Sequence, residues 1–418
     1  MSLIQEEKLI RLYGRDEKQI SFQKERYQKL ADRFTDIFGC SCTHIFSAPG
    51  RSEIGGNHTD HNCGRVLAAS VNLDIVCAVS PRDDRKVVFH SEGFQPTEVN
   101  LDDLSSSETE YGTTAALIRG VAAGMKDAGY EIGGFNAVAG ATVASGSGLS
   151  SSAALEVLLA AIFDGLFNRF EMPFPKRAAI GQRAENVFFG KPSGLLDQMG
   201  SAAGGLVTVD FRDNDHPEVR ALQYDFEAKG YAPVVVATGA SHANLTPHYA
   251  AIPAEMKQVA AFFGKKVLRE ISPSDLRNNM RLLRERFGDR PVLRAVHFME
   301  ENERVERQVK ALEEDRIGDF FDEIIASGRS SFMYLQNVYA MGGDQGLSLA
   351  LCLAEDLLAG KGAWRVHGGG FAGTTLNFVP LDEVGHFVDV MDGVFGEGSC
   401  KVLYVRPVGA DMNLISRI

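Results

Sequence analysis

A loop rich in glycine and serine that leads directly into an apolar helix is the feature that most constrains this chain. Residues 143–157 read VASGSGLSSSAALEV. The pattern predicts a strand over 135–143, a loop around Gly146 and Gly148, and a mostly buried helix over 150–167. Glycines let a backbone approach a ligand closely, and the free N–H groups of a helix N-terminus attract phosphate. The segment therefore indicates a phosphate-binding loop, and an ordinary serine cap on a core helix is the alternative.

The remaining elements mix helix and strand patterns without a regular alternation. Helices are predicted over 16–39, 113–129, 175–189 and, in several pieces, 250–360, with breaks near 272–273, 288–291 and 341–343. Strands are predicted over 65–80 and 86–90, as a pair, and over 206–211, 232–238, 364–366, 375–379 and 399–405. Such a mixture favours an α+β fold over a doubly wound parallel sheet.

Charge and composition exclude several classes of partner. Lys and Arg number 43 against 55 Asp and Glu, a net charge of −12, and no basic stripe stands out, so we expect no nucleic-acid partner. No uncharged run of 18 apolar residues and no signal-peptide core occur, so no membrane partner is expected. The 6 cysteines are sparse and are predicted to be reduced thiols of a cytoplasmic protein.

A polar segment over 47–64 reads SAPGRSEIGGNHTDHNCG. Its donors and acceptors crowd together in a few residues; they are Arg51, Glu53, Asn57, His58, Asp60 and His61. A short loop of this kind suits a polyhydroxylated ligand, because each hydroxyl needs a fixed partner. Two alternatives are a metal site built on His58, Asp60 and His61, and a polar turn whose side chains satisfy one another.

Two further segments carry candidate chemistry. In QRAENVFFGKPSGLLDQMGS, over 182–201, Glu185 ends a helix and Asp197 follows in an apolar setting. A carboxylate there can act as a base or hold a metal ion, or it can simply cap a helix or form an ion pair. In HGGGFAGTT, over 367–375, the glycines indicate close backbone approach to another loop or ligand, or a flexible hairpin.

Taken in order, these segments resemble the GHMP small-molecule kinase superfamily and, within it, the galactokinase family. SAPGRSEIGGNHTDH is similar to the signature A-P-G-R-x-N-x-I-G-E-H-T-D-Y, and ASGSGLSSSAALEV to P-x-G-x-G-L-S-S-S-A. AENVFFGKPSGLLDQMGS, HANLTPHY and VHGGGFAGTTLNFV are similar to A-E-x-x-F-x-G-x-x-x-G-x-x-D-Q, H-x-L-x-x-S-x-Y and G-G-G-F-G-G-C. The chain departs from these patterns at Glu53, which replaces Asn, at Asn57, which replaces Glu, and at His61, which replaces Tyr.

The resemblance implies a two-domain α+β GHMP kinase fold with the active site in the cleft between the domains. The N-terminal domain, of ribosomal-protein-S5-like type, is expected over 1–205, and a C-terminal α+β domain over 206–418. The implied activity is transfer of a phosphoryl group from ATP to the anomeric hydroxyl of galactose, with Mg²⁺, by a cytoplasmic monomer whose partners are the small-molecule sugar and ATP.

The resemblance also implies a role for each matching residue. Arg51 and Asp197 are the expected catalytic residues, and Ser151 and Glu185 the expected Mg²⁺ ligands. Sugar contacts are expected from Asn57, His58, Asp60, Gly194 and Tyr249, with Asn57 near the 6-hydroxyl and Asp60 at the 3- and 4-hydroxyls. Phosphate contacts are expected from Gly146, Ser147, Gly148, Leu149, Ser150, Ser151 and Ser152, with support from Gly369, Gly370 and Gly373.

Three other functions stay open at this point. Because Asn57 replaces a charged residue, the same kinase chemistry could act on N-acetylgalactosamine or a pentose. A chain of this kind could also bind sugar and ATP as a sensor without catalysis, although Arg51, Glu185 and Asp197 are all retained. The third is a metal hydrolase that uses His58, Asp60 and His61.

Overall fold

The computed structural model describes residues 4–143, 149–191, 193–214, 216–239, 245–340, 343–371 and 373–410. The helices are α1 Glu6–Tyr13, α2 Glu17–Phe38, α3 Thr114–Asp127, α4 Ser151–Phe167, α5 Phe174–Arg183, α6 Leu196–Ala203, α7 Thr246–Phe262, α8 Pro273–Asn278, α9 Met280–Phe287, α10 Asp289–Glu313, α11 Ile317–Ser330, α12 Gly346–Leu358 and α13 Val384–Phe395. The strands are β1 His44–Gly55, β2 Arg65–Pro81, β3 Lys86–Ser91, β4 Thr97–Asn100, β5 Phe135–Ala141, β6 Leu206–Asp210, β7 Glu218–Leu222, β8 Tyr231–Ala237, β9 Ala363–His367, β10 Thr374–Pro380 and β11 Cys400–Val402. The α+β class predicted from the sequence is confirmed.

The chain forms two compact units. Unit one contains the residues up to Arg51, Ala69–Leu206 and the chain from Val405 onward, and unit two contains Ser52–Ala68 and Val207–Tyr404. The principal boundary lies beside the one predicted between residues 205 and 206. The difference is that Ser52–Ala68 belongs to unit two and the chain from Val405 onward to unit one. The first of these exchanges arises because the long strands β1 and β2 each run from one unit into the other.

Unit one holds a mixed sheet and the helices α1 to α6. The later part of β2 pairs antiparallel with β5, β5 pairs in parallel with β3, and β3 pairs antiparallel with β4. The expectation that β2 and β3 pair with each other is therefore wrong, since β5 lies between them. The turn between β2 and β3 in the sequence indicates only that the chain reverses there. The strand β5, from a segment about fifty residues later, takes the place beside β2 that β3 was predicted to occupy.

The helix α4 is the central helix of unit one. It follows the predicted limits within one residue, and its buried residues lie on most of its faces, as predicted for a helix with apolar side chains all round. Glu156 and Asp164 are buried together with these apolar residues and are each fully shielded from solvent. Buried carboxyl groups in a helix need partners, and those of Glu156 are part of the site described below.

Unit two is built on a four-stranded antiparallel sheet in the order β11-β8-β10-β9. One apolar cluster packs α12 and α13 against β8 and β10, and another joins α7 to α10. Of the three predicted helix breaks, those near 272–273 and 288–291 are present. The third was predicted at 341–343, where residues 341 and 342 lie outside the described residues. The strand β7 and the helix α13 were not predicted.

The structure bears on two predictions from the sequence, one about membrane-spanning helices and one about the cysteines. No helix among the described residues is both long and apolar enough to cross a lipid bilayer. All 6 cysteines lie in the described part of the chain, and each is a free thiol, as predicted.

Candidate functional site

Asp197, in the first turn of α6, lies at the centre of a charged cluster in unit one. Its Oδ1 accepts from the Arg51 guanidinium, with Nε and one terminal nitrogen each 2.8 Å away, and its Oδ2 accepts from the Ser150 hydroxyl. Burial by itself would raise the pKa of Asp197, but Arg51 and the Ser150 hydrogen bond outweigh it and hold the pKa below its usual value. The carboxylate is therefore ionised at neutral pH and remains partly exposed, with 31% of its side-chain surface accessible.

The start of α4 is held against β1 at a position where only glycine fits. A Cβ on Gly50 would lie 2.7 Å from the carbonyl oxygen of Leu149, and that oxygen accepts from the Arg51 N–H at 3.0 Å. Ser150 follows in the left-handed region, with φ 58°, and Ser151 begins the helix. This contact places the Ser150 hydroxyl at Asp197. As at any helix start, the first N–H groups of this 17-residue helix have no acceptor within the helix itself.

Glu185 lies beside this helix start, in a π-helical turn over Ala184–Phe189 that continues α5. Its Oε1 accepts from the Ser152 hydroxyl at 3.1 Å and from the Lys191 ammonium at 2.6 Å. Its Oε2 accepts from the side-chain amide of Gln198 at 3.0 Å. The predicted position of Glu185 at a helix end is confirmed, and the serine hydroxyl that bonds to it belongs to Ser152.

Glu156, in α4, is a second carboxyl group in the same cluster. The side-chain amide of Gln198 donates to its Oε2 at 2.8 Å while also donating to Glu185. Burial, and next the nearby charge of Glu185, raise the pKa of Glu156 to about 9, so this group is protonated at neutral pH. The Lys191 ammonium lies 2.6 Å from the other carboxyl group of the pair, that of Glu185.

The other predicted residues of unit one are only partly described. Gly146, Ser147 and Gly148, in the middle of the predicted phosphate loop, lie outside the described residues. Leu149 is buried and Ser151 is half-buried. Gly194 is exposed and lies two residues before the start of α6.

The polar segment over 47–64, which was predicted as a loop, has a different structure. Its first half forms the strand β1 through Gly55, so the expectation of a loop at Arg51 and Glu53 is wrong. The loop begins only at Gly56, whose φ of +85° and close approach to Arg65 require glycine. The residues after it are still held tightly, because the Thr59 hydroxyl donates to the carbonyl oxygens of both Gly56 and Arg65.

His58 is held against the last glycine loop. Its Nε2–H donates to the carbonyl oxygen of Gly369 at 3.2 Å. Burial and the neighbouring His61 lower the pKa of His58 to about 3, so the imidazole is neutral at physiological pH. Its backbone is in the left-handed region, with φ 57°, which is uncommon outside glycine.

Tyr249, near the start of α7, contacts the same glycine loop. Its hydroxyl donates to the Gly370 carbonyl at 2.9 Å. A Cβ added to Gly369 would lie only 2.8 Å from a carbon atom of the Tyr249 ring. The carbonyl of Gly373 accepts from the Thr238 hydroxyl at 3.1 Å. The prediction of close backbone approach at this loop is confirmed for these glycines, whereas Ala372 is not among the described residues.

Asn57 is fully buried and lies among protein groups. Its side chain hydrogen-bonds to Glu53, Ser331, Asn337 and the Gly368 carbonyl.

Asp60 and His61 occupy a short 3₁₀ turn next to this loop. Asp60 is partly exposed, and its Oδ1 lies 3.7 Å from Nε2 of His61. The rings of His58 and His61 are 5.9 Å apart, centre to centre. Within the described ranges, no group of three or more His, Cys, Asp or Glu side chains is arranged to hold a metal ion, so nothing there supports the predicted alternative of a His-based metal site.

Two residues of α10, which no sequence motif identified, hydrogen-bond to the backbone of the polar loop. Glu301 accepts from the N–H groups of Gly56 at 3.2 Å and Asn57 at 3.4 Å, and the His297 Nε2–H donates to the Asn57 carbonyl at 2.9 Å. Both side chains are completely buried. Their i, i+4 spacing on one helix face was visible in the sequence, but no motif distinguishes such a pair from polar residues on the exposed face of a helix.

Sequence profiles of two known families match this chain. The galactokinase galactose-binding signature matches residues 32–81, and the GHMP kinases N terminal domain matches residues 116–205. Among curated relatives, the chain is 32% identical over 381 residues to a galactokinase of Streptomyces coelicolor, covering 89% of this chain and 94% of that protein. It is 29% identical over 396 residues to a galactokinase of Lactococcus lactis subsp. cremoris, covering 91% and 95%.

Solved structures of the same architecture are also similar. The crystal structure of Lactococcus lactis galactokinase complexed with galactose matches with a TM-score of 0.77 and 25% identity, covering 93% of this chain and 100% of that one. A mevalonate kinase of Methanococcus jannaschii matches with a TM-score of 0.62 at 13% identity, covering 87% and 98%, which shows the shared fold alone.

Proposed function

This chain belongs to the galactokinase family of GHMP kinases, and from that premise we propose that it transfers the terminal phosphoryl group of ATP to the anomeric hydroxyl of galactose. It is a sugar kinase. The products of the proposed reaction are galactose 1-phosphate and ADP. The observation that carries the proposal is the ionised carboxylate of Asp197, held between Arg51 and the first residues of α4.

Asp197 supplies the basic group for this reaction. Its partly exposed carboxylate can accept a hydrogen bond, and then the proton, from the attacking hydroxyl. Arg51 keeps that carboxylate ionised and supplies positive charge where the transferring phosphoryl group gains negative charge. Because phosphoryl transfer passes through a loose transition state, positioning and charge contribute more than early proton removal.

The start of α4 is proposed to hold the phosphates of ATP. Backbone N–H groups at a helix N-terminus point toward an anion and carry the positive end of the helix dipole. The proposed contacts run from Gly146 through Ser152, of which Leu149 to Ser152 are described. The close approach of Leu149 to Gly50 supports this role, because it fixes the helix start in place.

The donor set beside α4 fits a Mg²⁺ ion. Glu185 offers a carboxylate and Ser151 and Ser152 offer hydroxyls, the hard oxygen ligands that Mg²⁺ prefers. Oε1 of Glu185 accepts from Ser152 and Lys191. Among the described donors Oε2 accepts from Gln198 alone, so Oε2 keeps acceptor capacity for an ion. When bound there, Mg²⁺ would neutralise charge on the β- and γ-phosphates.

Sugar contacts are proposed from the loop that follows Gly56 and from its glycine partner. Gly194 is proposed as a further sugar contact. His58 is neutral and Asp60 is partly exposed, so both can hydrogen-bond to hydroxyl groups. Asp60 is proposed to bind the 3- and 4-hydroxyls, the second of which distinguishes galactose from glucose. Tyr249 contacts the same glycine loop and is proposed to line the sugar.

The cellular setting follows from the proposed chemistry. ATP is the phosphoryl donor and every cysteine is a free thiol, which supports a reducing compartment and the proposed cytoplasmic location. The chain is proposed to act as a monomer.

The test is ADP release by the purified protein with Mg-ATP and a panel of galactose, N-acetylgalactosamine, glucose, arabinose and no sugar. We expect the highest turnover with galactose and little above background without sugar. Turnover only with another sugar would keep the kinase chemistry and replace the proposed substrate. Background rates across the whole panel would contradict the proposal and favour a sensor that binds without catalysis.

A further inference from the structure

The side-chain amide of Asn57 has no hydrogen-bonding capacity left for a ligand. Its Nδ2 donates to Glu53 Oε1 at 2.9 Å and to the Gly368 carbonyl at 2.6 Å. Its Oδ1 accepts from Asn337 Nδ2 at 2.9 Å and from the Ser331 hydroxyl at 3.2 Å. An asparagine side chain has two N–H donors and one oxygen with two lone pairs, so these four bonds use all of it. The residue is also 0% exposed.

Glu53 is the charged member of this arrangement. The oxygen that accepts from Asn57 also accepts from the Arg365 guanidinium at 2.9 Å. Arg365 is itself fully buried and donates through its other nitrogens to the backbone carbonyls of Val366 and Ile54. The negative charge of Glu53 is thus neutralised inside unit two, and the Asn57 amide is held by that ion pair.

The two residues stand in the reverse order to the signature that they match. That signature has Asn at the position of Glu53 and Glu at the position of Asn57. In this chain the two side chains are directly hydrogen-bonded, so the exchange preserves one carboxylate and one amide in a single buried contact. A single substitution at either position would instead leave two carboxylates or two amides beside Arg365.

We propose that Glu53 and Asn57 are a compensated structural pair that closes position 57 to the substrate, so that the sugar is bound without a hydrogen bond from the Asn57 side chain. The consequence for specificity rests on the proposed function. The hydroxyl expected at residue 57 is the one on C6, so the Asn57 side chain contributes nothing to the choice between galactose and 6-deoxygalactose.

The pairing is tested by a double-mutant cycle on the full chain, with thermal unfolding as the readout. Glu53→Asn removes the carboxylate beside Arg365, and Asn57→Glu places a second buried carboxylate against the first. We expect each single variant to lower Tm, and the double variant to lower it by clearly less than the two losses added together. If Asn57→Glu does not fold, the comparison is between Glu53→Asn and the double variant, and the double variant should have the same or a higher Tm. Additive losses, or a double variant less stable than Glu53→Asn, would overturn the pairing.

The specificity consequence is tested by the ratio of kcat/KM for galactose to that for 6-deoxygalactose. Asn57→Ala removes the side chain, and Asn57→Ser is the milder alternative if the first variant is unstable. Both values of kcat/KM are expected to fall, because the loop loses its support, while their ratio stays the same within about twofold. A contributing hydrogen bond from Asn57 to the sugar would make the ratio fall about three- to tenfold, and that result would overturn the inference.

These two tests separate this inference from the proposed function. The double-mutant cycle needs no substrate, so it reports on the pair even in a protein that does not phosphorylate galactose. Conversely, galactose turnover by the wild-type protein combined with additive losses in the cycle would leave the proposed function intact and remove the pair.

Discussion

At the scale of single residues, the environment of Asp197 carries the proposed chemistry. Replacing Asp197 by Asn keeps the shape of the side chain and removes the proposed base and its charge. We expect turnover to fall by about 10³-fold or more, because removal of a general base and of a charge at the reacting atoms both raise the barrier. ATP binding, followed by calorimetry, is expected to be retained within a few-fold. Turnover near that of the wild type would remove Asp197 from the mechanism.

The same residue sets an expectation for pH dependence. Because Arg51 and Ser150 hold the pKa of Asp197 below its usual value, the carboxylate stays ionised in mildly acidic solution, and Asp197 does not limit activity there. Arg51→Ala removes the main charge that offsets burial, so the acid limb of the kcat/KM profile should move to higher pH. The profile is measured on both proteins between about pH 4 and pH 8, within the range over which carboxylates titrate. Acid limbs at the same pH would contradict this account of the ion pair.

The raised pKa of Glu156 makes the stability of the folded protein depend on pH. Its pKa of about 9 lies above the ordinary value for Glu, so between those two values the folded state holds a proton that the unfolded state has lost. This contribution to stability is complete at low pH and decreases as pH rises toward 9. Glu156→Gln removes the titration while keeping the shape. The Tm difference, variant minus wild type, should therefore increase from pH 5.5 to pH 8.5, and a constant difference would show that Glu156 ionises at its ordinary pKa.

At the scale of elements, the contact between β1 and the start of α4 fixes the proposed phosphate-binding helix in place. A Cβ on Gly50 would lie 2.7 Å from the Leu149 carbonyl, so Gly50→Ala must displace backbone. We expect a loss of about 1–3 kcal/mol in unfolding free energy, typical of overpacking, and a higher KM for ATP. Gly318→Ala, at an exposed helical glycine with open space around it, is the control. It should leave the KM for ATP unchanged and keep or raise the stability, because alanine favours a helix over glycine. Equal effects of the two variants would show that the close contact is not important.

Elements were predictable where the signal is local and periodic. The limits of α2, α3 and α4 follow the predicted segments closely, because apolar spacing and capping are properties of the segment itself. The strand β1 was missed because its polar residues, such as Ser52 and Glu53, are buried by partners distant in sequence. The position of β5 between β2 and β3 depends on the same kind of long-range pairing, which no local pattern contains.

At the scale of the whole molecule, the motifs identified the chemistry better than they identified the contacts. Arg51, Asp197 and Glu185 could be singled out because they lie in recognisable segments of the family. Gln198 bridges Glu156 to Glu185, and Glu301 accepts from the backbone at Asn57, and neither role was predicted. Asn57 shows the limit most clearly, since the family signature marks its position but only the structure shows that its amide is fully engaged.

The measurement that tests the central claim most directly is phosphorus NMR of the product made by the wild-type protein from Mg-ATP and galactose. The account predicts consumption of ATP, formation of ADP, and one new sugar phosphate whose phosphorus is coupled to the proton on C1. A sugar phosphate bearing the group on another carbon, or ADP and inorganic phosphate with no sugar phosphate, would contradict the claim that this chain is a kinase for the anomeric hydroxyl of galactose.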